Sequence, residues 1–393
     1  MQLIDDGVLG AVRALTPAIR AQCTDLDRTR SLPGAVVEAL RSVGAFRLLS
    51  PRDLGGLEID PVTFIRVVEE AAFAEGSVGW CTMIAGGYSQ FAGILPPDGA
   101  LEIFADPRTV VAGTFRPFGT ARRTGDGYRV SGRWPLASGS SHATWFEGGC
   151  TILEGDVPVI GPSGRPMARE IFFPASDVEV IDTWESTGLR GTASHDFAVA
   201  DVLVPEERTC WFTDAPSAGG ALYRMPAIGV FAGGIGAVPL GIARRAREEF
   251  VAMAQSKKQY SSSATLAESP VVQAKLGRAD TLVRAAMSHL VMTFEDVWAK
   301  VSAGHSPTLG DHGALWLAAT FAAQSAIEAI ETLYAAAGSS SVYANSALDL
   351  CLRDARTAAQ HICTQDSNLE HFGRAMLVRN GTPGPWIMDY RGD

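Results

Sequence analysis

Several absences bound what this chain can be. No unbroken run of 18 or more apolar residues occurs in its 393 positions, so no membrane-spanning helix is expected. The opening residues, MQLIDDGVLG, lack a basic stretch followed by an apolar one, so a secretory signal is not expected and a cytoplasmic protein is. Positive charge is in deficit: 33 Lys and Arg stand against 43 Asp and Glu, a formal net charge of −10. That argues against nucleic acid and anionic membrane surfaces as partners, since both reward clustered basic residues. Cysteine is sparse, with six residues at 23, 81, 150, 210, 351 and 363 and no CxxC or metal-ligand spacing. Buried, reduced thiols are therefore expected, with no metal. No G-x-G-x-x-G follows a strand-like segment, so the chain carries no nicotinamide-binding fingerprint. Repeats and low-complexity tracts are absent too.

What is present is apolar residue, 47% of the total, enough for a large core or two to three packed domains. The local grammar changes twice along the chain. Residues 1–110 read as a helical domain. Leu32–Phe46 places Val36, Val37, Leu40, Val43 and Phe46 on one face at helical spacing, behind Pro33. Asp60-Pro61 opens a further helix, TFIRVVEEAAFAEG, with Gly76 as its stop. The glycines of SVGWCTMIAGGYSQFAGIL suit close helix packing or approach to a ligand. Residues 111–215 read as a middle β domain of short alternating segments, with a Gly-Asp-Gly hairpin turn at 125–127. Residues 216–393 are Ala-rich and helix-periodic again, four long helices ending in an irregular Gly/Pro-rich tail, RNGTPGPWIMDYRGD.

WESTGLRGTASHDFAVADVLVP (Trp184–Pro205) carries the strongest family signal. It resembles the β-domain segment of the acyl-CoA dehydrogenase superfamily, where a Trp and a Gly-Leu-Arg-Gly-Thr turn precede a strand. SGRWPLASGSSHATW (Ser131–Trp145) and RDARTAAQH (Arg353–His361) resemble one branch of it: the oxygenase components of two-component flavin-dependent monooxygenases of the 4-hydroxyphenylacetate and 3-HSA hydroxylase type. The resemblance spans nearly the whole chain. It implies an α+β, acyl-CoA dehydrogenase-like fold: an N-terminal helical domain, a middle β-barrel or sandwich domain and a C-terminal four-helix bundle, assembled as a homotetramer. It also implies reduced FMN or FAD, brought by a separate flavin reductase.

The same resemblance implies site residues. Ser138 falls where a hydroxyl meets the flavin N5 and preserves the C4a-hydroperoxide formed from reduced flavin and O2; a Ser capping a turn is the ordinary alternative. Thr114, in VVAGTFRPFGTA, falls on a strand over the ring, and as a β-branched residue it suits any strand equally. His361 is the expected catalytic residue, hydrogen-bonding or deprotonating a substrate hydroxyl. Trp184 and Arg190, with Thr187 and Thr192, flank the turn that approaches the ring. His142 and His195 read as scaffold. Gly338, Ser339 and Ser340 stand in the pyrophosphate loop, and Lys257 and Gln259 in the segment that reaches a neighbouring subunit's flavin. Tyr260 and Ser261 replace the Phe and Gly of that segment, which leaves FMN and FAD both open. Where many dehydrogenases carry their catalytic Glu, this chain has Ile362, which cannot take a proton. The expected function is hydroxylation of a small aromatic or polycyclic substrate. An amino-sugar N-oxygenase, an acyl-CoA dehydrogenase-type flavoenzyme and a flavin-free scaffold on the same fold are the alternatives.

Overall fold

The computed structural model describes residues 2–125, 127–161, 164–259 and 263–377. Asp126 at the expected hairpin turn, Tyr260, Ser261 and the tail from Arg379 lie outside them. The first third is helical: α1 (Gln2–Gln22), α2 (Leu26–Thr29), α3 (Gly34–Ser42), α4 (Pro61–Ala74), α5 (Gly76–Tyr88) and α6 (Pro97–Phe104). Helix α3 buries Val36, Val37 and Leu40 as their spacing predicts, and stops before Gly44, whose φ of +76° reverses the chain.

Asp60 caps α4. Its Oδ1 accepts from the Val62 and Thr63 amides at 2.9 and 3.0 Å, and Pro61 fills the first helical position without losing a needed donor. Asp60→Ala is expected to cost about 1 kcal/mol, read as a lowered Tm, with flavin binding unchanged. Gly76 does not stop this helix. The break is Glu75, which is extended (φ −163°) and turns its carboxylate onto the Val78 amide at 2.8 Å, so that Gly76 begins α5. Glycine is needed there because a Cβ would lie 2.7 Å from Asp354 Oδ2.

The middle of the chain forms one sheet from β1 (Val111–Thr124), β2 (Gly127–Ala137), β3 (Trp145–Glu154), β4 (Val157–Pro158), β5 (Ala168–Pro174), β6 (Glu179–Ile181), β7 (His195–Pro205) and β8 (Thr209–Cys210). The order is β6-β7-β2-β1-β3-β5-β8, with β4 on β3. β1 and β2 pair antiparallel up to Thr124↔Gly127, as the Gly-Asp-Gly turn requires, while β1 and β3 run parallel. Trp134 anchors the sheet's own core, stacked on Phe197 at 4.8 Å and donating to the Gly149 carbonyl at 2.7 Å.

The last part supplies α7 (Ala227–Ser256), α8 (Pro270–Ser302), α9 (Leu309–Ala337), α10 (Ala347–Ala358) and α11 (Ser367–Leu377). Helix α7 is the axle. A Cβ on Gly234 would meet Phe64 of α4 at 2.7 Å, and one on Gly236 the Ala319 backbone of α9 at 2.8 Å. Helices from both ends of the sequence thus share one apolar core. Two segments, Ala227–Ser256 and Leu309–Ser340, prove long and apolar enough to cross a membrane, which counting unbroken apolar runs misses because Gly, Pro and Ser are interspersed. Their most apolar windows are 94% and 67% buried inside the protein, so core packing accounts for them. The thiols of Cys81, Cys150, Cys210, Cys351 and Cys363 are buried and Cys23 is half-buried, and none is in a disulfide.

Candidate active site between the sheet and the helices

Strand β2 ends in a distorted turn. Leu136 takes a φ of +67°, and the Ser138 and Gly139 amides donate to Leu136 O and Thr192 O at 2.8 and 2.7 Å. Ser138 is thereby held in a buried position against the Trp184–Pro205 segment. Its Oγ receives the Trp80 indole N–H from α5 at 2.9 Å and lies 2.7 Å from Ser194 Oγ. Ser194 Oγ is 2.6 Å from Thr192 Oγ1, which donates to Leu189 O at 2.8 Å.

Trp80 also leads to His361. The two rings meet edge-on with centroids 6.2 Å apart, and Phe231 of α7 packs 6.4 Å away on the imidazole. His361 is therefore in the same cluster as Ser138, one indole between them. It does not sit within the last bundle helix, as expected. Helix α10 ends at Ala358, and His361 is extended (ψ 143°), heading the short turn Ile362–Thr364. Its Nδ1 accepts from the Cys363 amide at 3.2 Å, so in the neutral ring the proton is on Nε2, which has no protein partner among the described residues. Packing away from water holds this imidazole down to about 4, so it is neutral and a donor at Nε2 near pH 7. Of the two expected roles, hydrogen bonding and deprotonation, this geometry favours the first.

A clamp from α10 fixes the turn behind Ser138. Arg353 donates from Nη1 to Thr187 O at 2.6 Å and pairs with Asp349 and Asp27, and Asp354 Oδ1 accepts from the Leu189 amide at 2.6 Å. Burial, then the charge of Glu75, pushes the Asp354 carboxyl up to about 8. Gly188 permits the contact: a Cβ there would stand 2.2 Å from Arg353 O. The Arg-Asp pair preceding His361 is thus the fastener that places both the histidine and the Ser138 wall.

Other expected residues are spent on the scaffold. Thr114 donates to Pro135 O. Trp184 Nε1 donates to Leu189 O at 3.1 Å, while Arg190 donates to Asp27 O at 2.8 Å and to Ser186 O at 2.6 Å. His195 Nδ1 accepts from the Thr183 and Trp184 amides, both at 3.2 Å. His142 stacks on Phe46 at 5.9 Å, and burial holds it down to about 4. The two phosphate-segment candidates, in contrast, come together: Lys257 Nζ donates to Ala337 O at 2.6 Å and to Ser340 Oγ at 2.7 Å, beside Gly338 (φ +61°) and the exposed Ser339. Gln259 Nε2 donates to Thr265 O at 2.8 Å, bracing the Lys257 segment. Among the described residues, none of these makes a hydrogen bond or ring contact with Ser138, Trp80 or His361.

Sequence reading missed Trp80 and Ser194, whereas the segments GGYSQFAGIL and ALYRMPAIGVF, read as lining the substrate side, supply Tyr88 and Phe231 to an aromatic seam beside them. Phe115, next to Thr114, packs on Tyr88 at 5.0 Å, Phe231 at 5.1 Å and Phe212 at 5.2 Å. Within this seam Tyr88 Oη donates to Glu147 Oε2 at 2.8 Å, and Glu147 and Glu170 are fully buried. A cleft of about 480 Å³ lies elsewhere, among Glu69, Arg244, Arg247, Asp280, Met287 and Leu333 of the helices. It shares no residue with the cluster around His361.

A buried hydroxyl and a neutral imidazole thus flank one indole, and Lys257, Gly338 and Ser340 lie together outside that cluster. The helices, sheet and bundle define the acyl-CoA dehydrogenase fold, and residues 233–366 match the family described as acyl-CoA dehydrogenase, C-terminal domain. The indole-3-acetate monooxygenase of Pseudomonas putida is 30% identical over 366 residues, covering 93% of this chain and 92% of that protein. The flavin-dependent monooxygenase oxygenase subunit HsaA of Mycobacterium tuberculosis is 29% identical, covering 90% and 91%. The structure of XiaF from Streptomyces sp. in complex with FADH2 and glycerol superposes with a TM-score of 0.88 at 26% identity, covering 97% of each chain. The chain belongs to the oxygenase components of flavin-dependent monooxygenases.

Proposed function

We propose that this oxygenase takes reduced flavin from a separate reductase and uses O2 to hydroxylate a small aromatic or polycyclic substrate in the cytoplasm, as a homotetramer. The observation that carries the reading is the joining of Ser138 and His361 across Trp80. When bound, reduced flavin supplies the electrons that activate dioxygen. Ser138 offers its buried oxygen to the ring edge. His361 donates from Nε2 to a substrate oxygen and orients the ring to be hydroxylated, while Phe231 and Trp80 exclude water around it. Lys257, Gly338, Ser339 and Ser340 suit the phosphate, of FMN or of FAD, from a neighbouring subunit. Thr114, Trp184, Arg190 and Gln259 act by holding backbone.

Dehydrogenation is disfavoured by chemistry as well as by likeness. Ile362 occupies the position of the carboxylate base, and the acidic pair in the adjoining seam, Glu147 and Glu170, is sealed from any substrate. The test is coupling. With reduced FMN or FAD and a phenolic substrate, Ser138→Ala is expected to lower the fraction of O2 recovered in hydroxylated product about tenfold, with H2O2 rising in step, about 1.4 kcal/mol. Unchanged coupling removes Ser138 from the site. Failure of the wild-type chain to bind either reduced flavin at micromolar concentration returns the protein to a scaffold.

A further inference from the structure

Behind Ser138 the hydrogen bonds can be satisfied in only one sense. Four hydrogens, those of the Trp80 indole and of the Ser138, Ser194 and Thr192 hydroxyls, serve four contacts: Trp80 Nε1 to Ser138 at 2.9 Å, Ser138 to Ser194 at 2.7 Å, Ser194 to Thr192 at 2.6 Å, and Thr192 to Leu189 O at 2.8 Å. The indole nitrogen can only donate and the carbonyl can only accept. With both ends fixed, every hydroxyl proton points toward Leu189. Reversing the chain would set the Thr192 oxygen against the Leu189 carbonyl with no proton between them. Ser138, Thr192 and Ser194 are buried, so no solvent stands in for a lost partner.

Ser138 therefore presents a lone pair, and no proton, to whatever lies in front of it. We infer that Ser194 and Thr192 are positioning residues that set the redox preference of the site. They hold Ser138 as an obligatory acceptor, which suits a ring N–H of reduced flavin and opposes the bare N5 lone pair of the oxidised ring. The inference rests on the proposed function, in which Ser138 faces the flavin. Its consequence is directional: the reduced cofactor is held and the oxidised one is released once its electrons are spent.

The test is equilibrium binding of each redox form, with no turnover. Oxidised FMN and FAD are titrated in air and the reduced forms anaerobically, and the ratio of oxidised to reduced Kd is compared across variants. Ser194→Ala deletes the acceptor of the Ser138 proton, frees that hydroxyl to turn outward, and is expected to lower the ratio about tenfold. That is equivalent to a fall of about 30 mV in the potential of the bound two-electron couple. Thr192→Val, close to isosteric, removes the anchor at Leu189 and is expected to act in the same direction, which keeps the test open should Ser194→Ala fail to fold. Ser194→Thr restores the acceptor and the ratio. Trp80→Phe removes a donor without changing which way Ser138 points, so the two dissociation constants should move together. Ratios that stay at the wild-type value in Ser194→Ala or Thr192→Val overturn the inference while leaving flavin binding intact; so does a ratio in Trp80→Phe that falls as far as in Ser194→Ala. Wild-type protein that binds neither form refutes the proposed function itself.

Discussion

Replacement of His361 by alanine is expected to lower the rate of product formation by about 10²–10³, the usual cost of losing one preorganised donor at a reacting oxygen. Oxygen consumption by the protein charged with reduced flavin should change by no more than about threefold. The separation follows from position. His361 contacts Trp80 and Phe231, whereas Ser138, which takes the Trp80 indole N–H, is held besides by Ser194 and by the turn that Asp354 fixes at Leu189. His361→Gln, which keeps an N–H near the same place, should recover part of the loss. The pH dependence is a sharper check. The imidazole is held down to about 4, so its neutral form is present above that pH and is lost only as pH falls through it. Coupling of O2 to product should accordingly stay flat between about pH 5.5 and 8, with no inflection near 6.5, the ordinary histidine value. An inflection there, or full product yield from His361→Ala, removes the assigned role.

The parts of this architecture that could be read from the chain are those written locally. Asp60-Pro61, the Gly-flanked hairpin turn and the long Ala-rich periodic segments each declare an element through their own neighbours. What escaped the sequence depends on contacts between distant segments. Gly76 reads as a helix stop until Asp354, 278 positions later, is seen to need its missing side chain. His361 continues a helical pattern on paper, yet its own Nδ1 captures the Cys363 amide and heads a separate turn.

The candidate site was half legible for the same reason. Ser138 and His361 lie in segments whose motifs are contiguous, so both could be named as candidates. Trp80 joins them from a helix that is buried on every side, where no polar face singles out one residue. Ser194 falls inside the motif segment but has no meaning until Ser138 is placed 2.7 Å away. Lys257 and Ser340 could each be proposed for an anion; only the fold puts them in contact.

Glu170→Gln is expected to leave stability nearly unchanged at pH 5 and to raise it progressively above wild type at higher pH, by about 1.4 kcal/mol per pH unit for as long as the native wild type keeps its proton. Glu147 on β3 and Glu170 on β5 are diagonal neighbours, since Gly149 pairs with Glu170 and Glu147 with Phe172. Both are fully buried. Burial, reinforced by the charge of Glu147, pushes the Glu170 carboxyl well above the ordinary value of 4.5, and Glu147 is raised by burial as well. Glu170 therefore retains its proton at neutral pH. In the unfolded chain both groups ionise near 4.5. Between that pH and the raised folded value the native state binds more protons, so its stability falls as pH rises, by about 1.36 kcal/mol per pH unit for each proton retained. The contribution is complete below about 4.5 and is lost as pH climbs through the folded value. A glutamine amide carries its hydrogens at every pH and can donate to Glu147 Oε1, which no other group reaches, while Tyr88 continues to serve Oε2. Thermal unfolding of wild type and variant from pH 5 to 8.5 should give curves that diverge with rising pH, the wild type falling away. Parallel curves, or a variant less stable than wild type at pH 8, would show that Glu170 holds no proton at neutral pH.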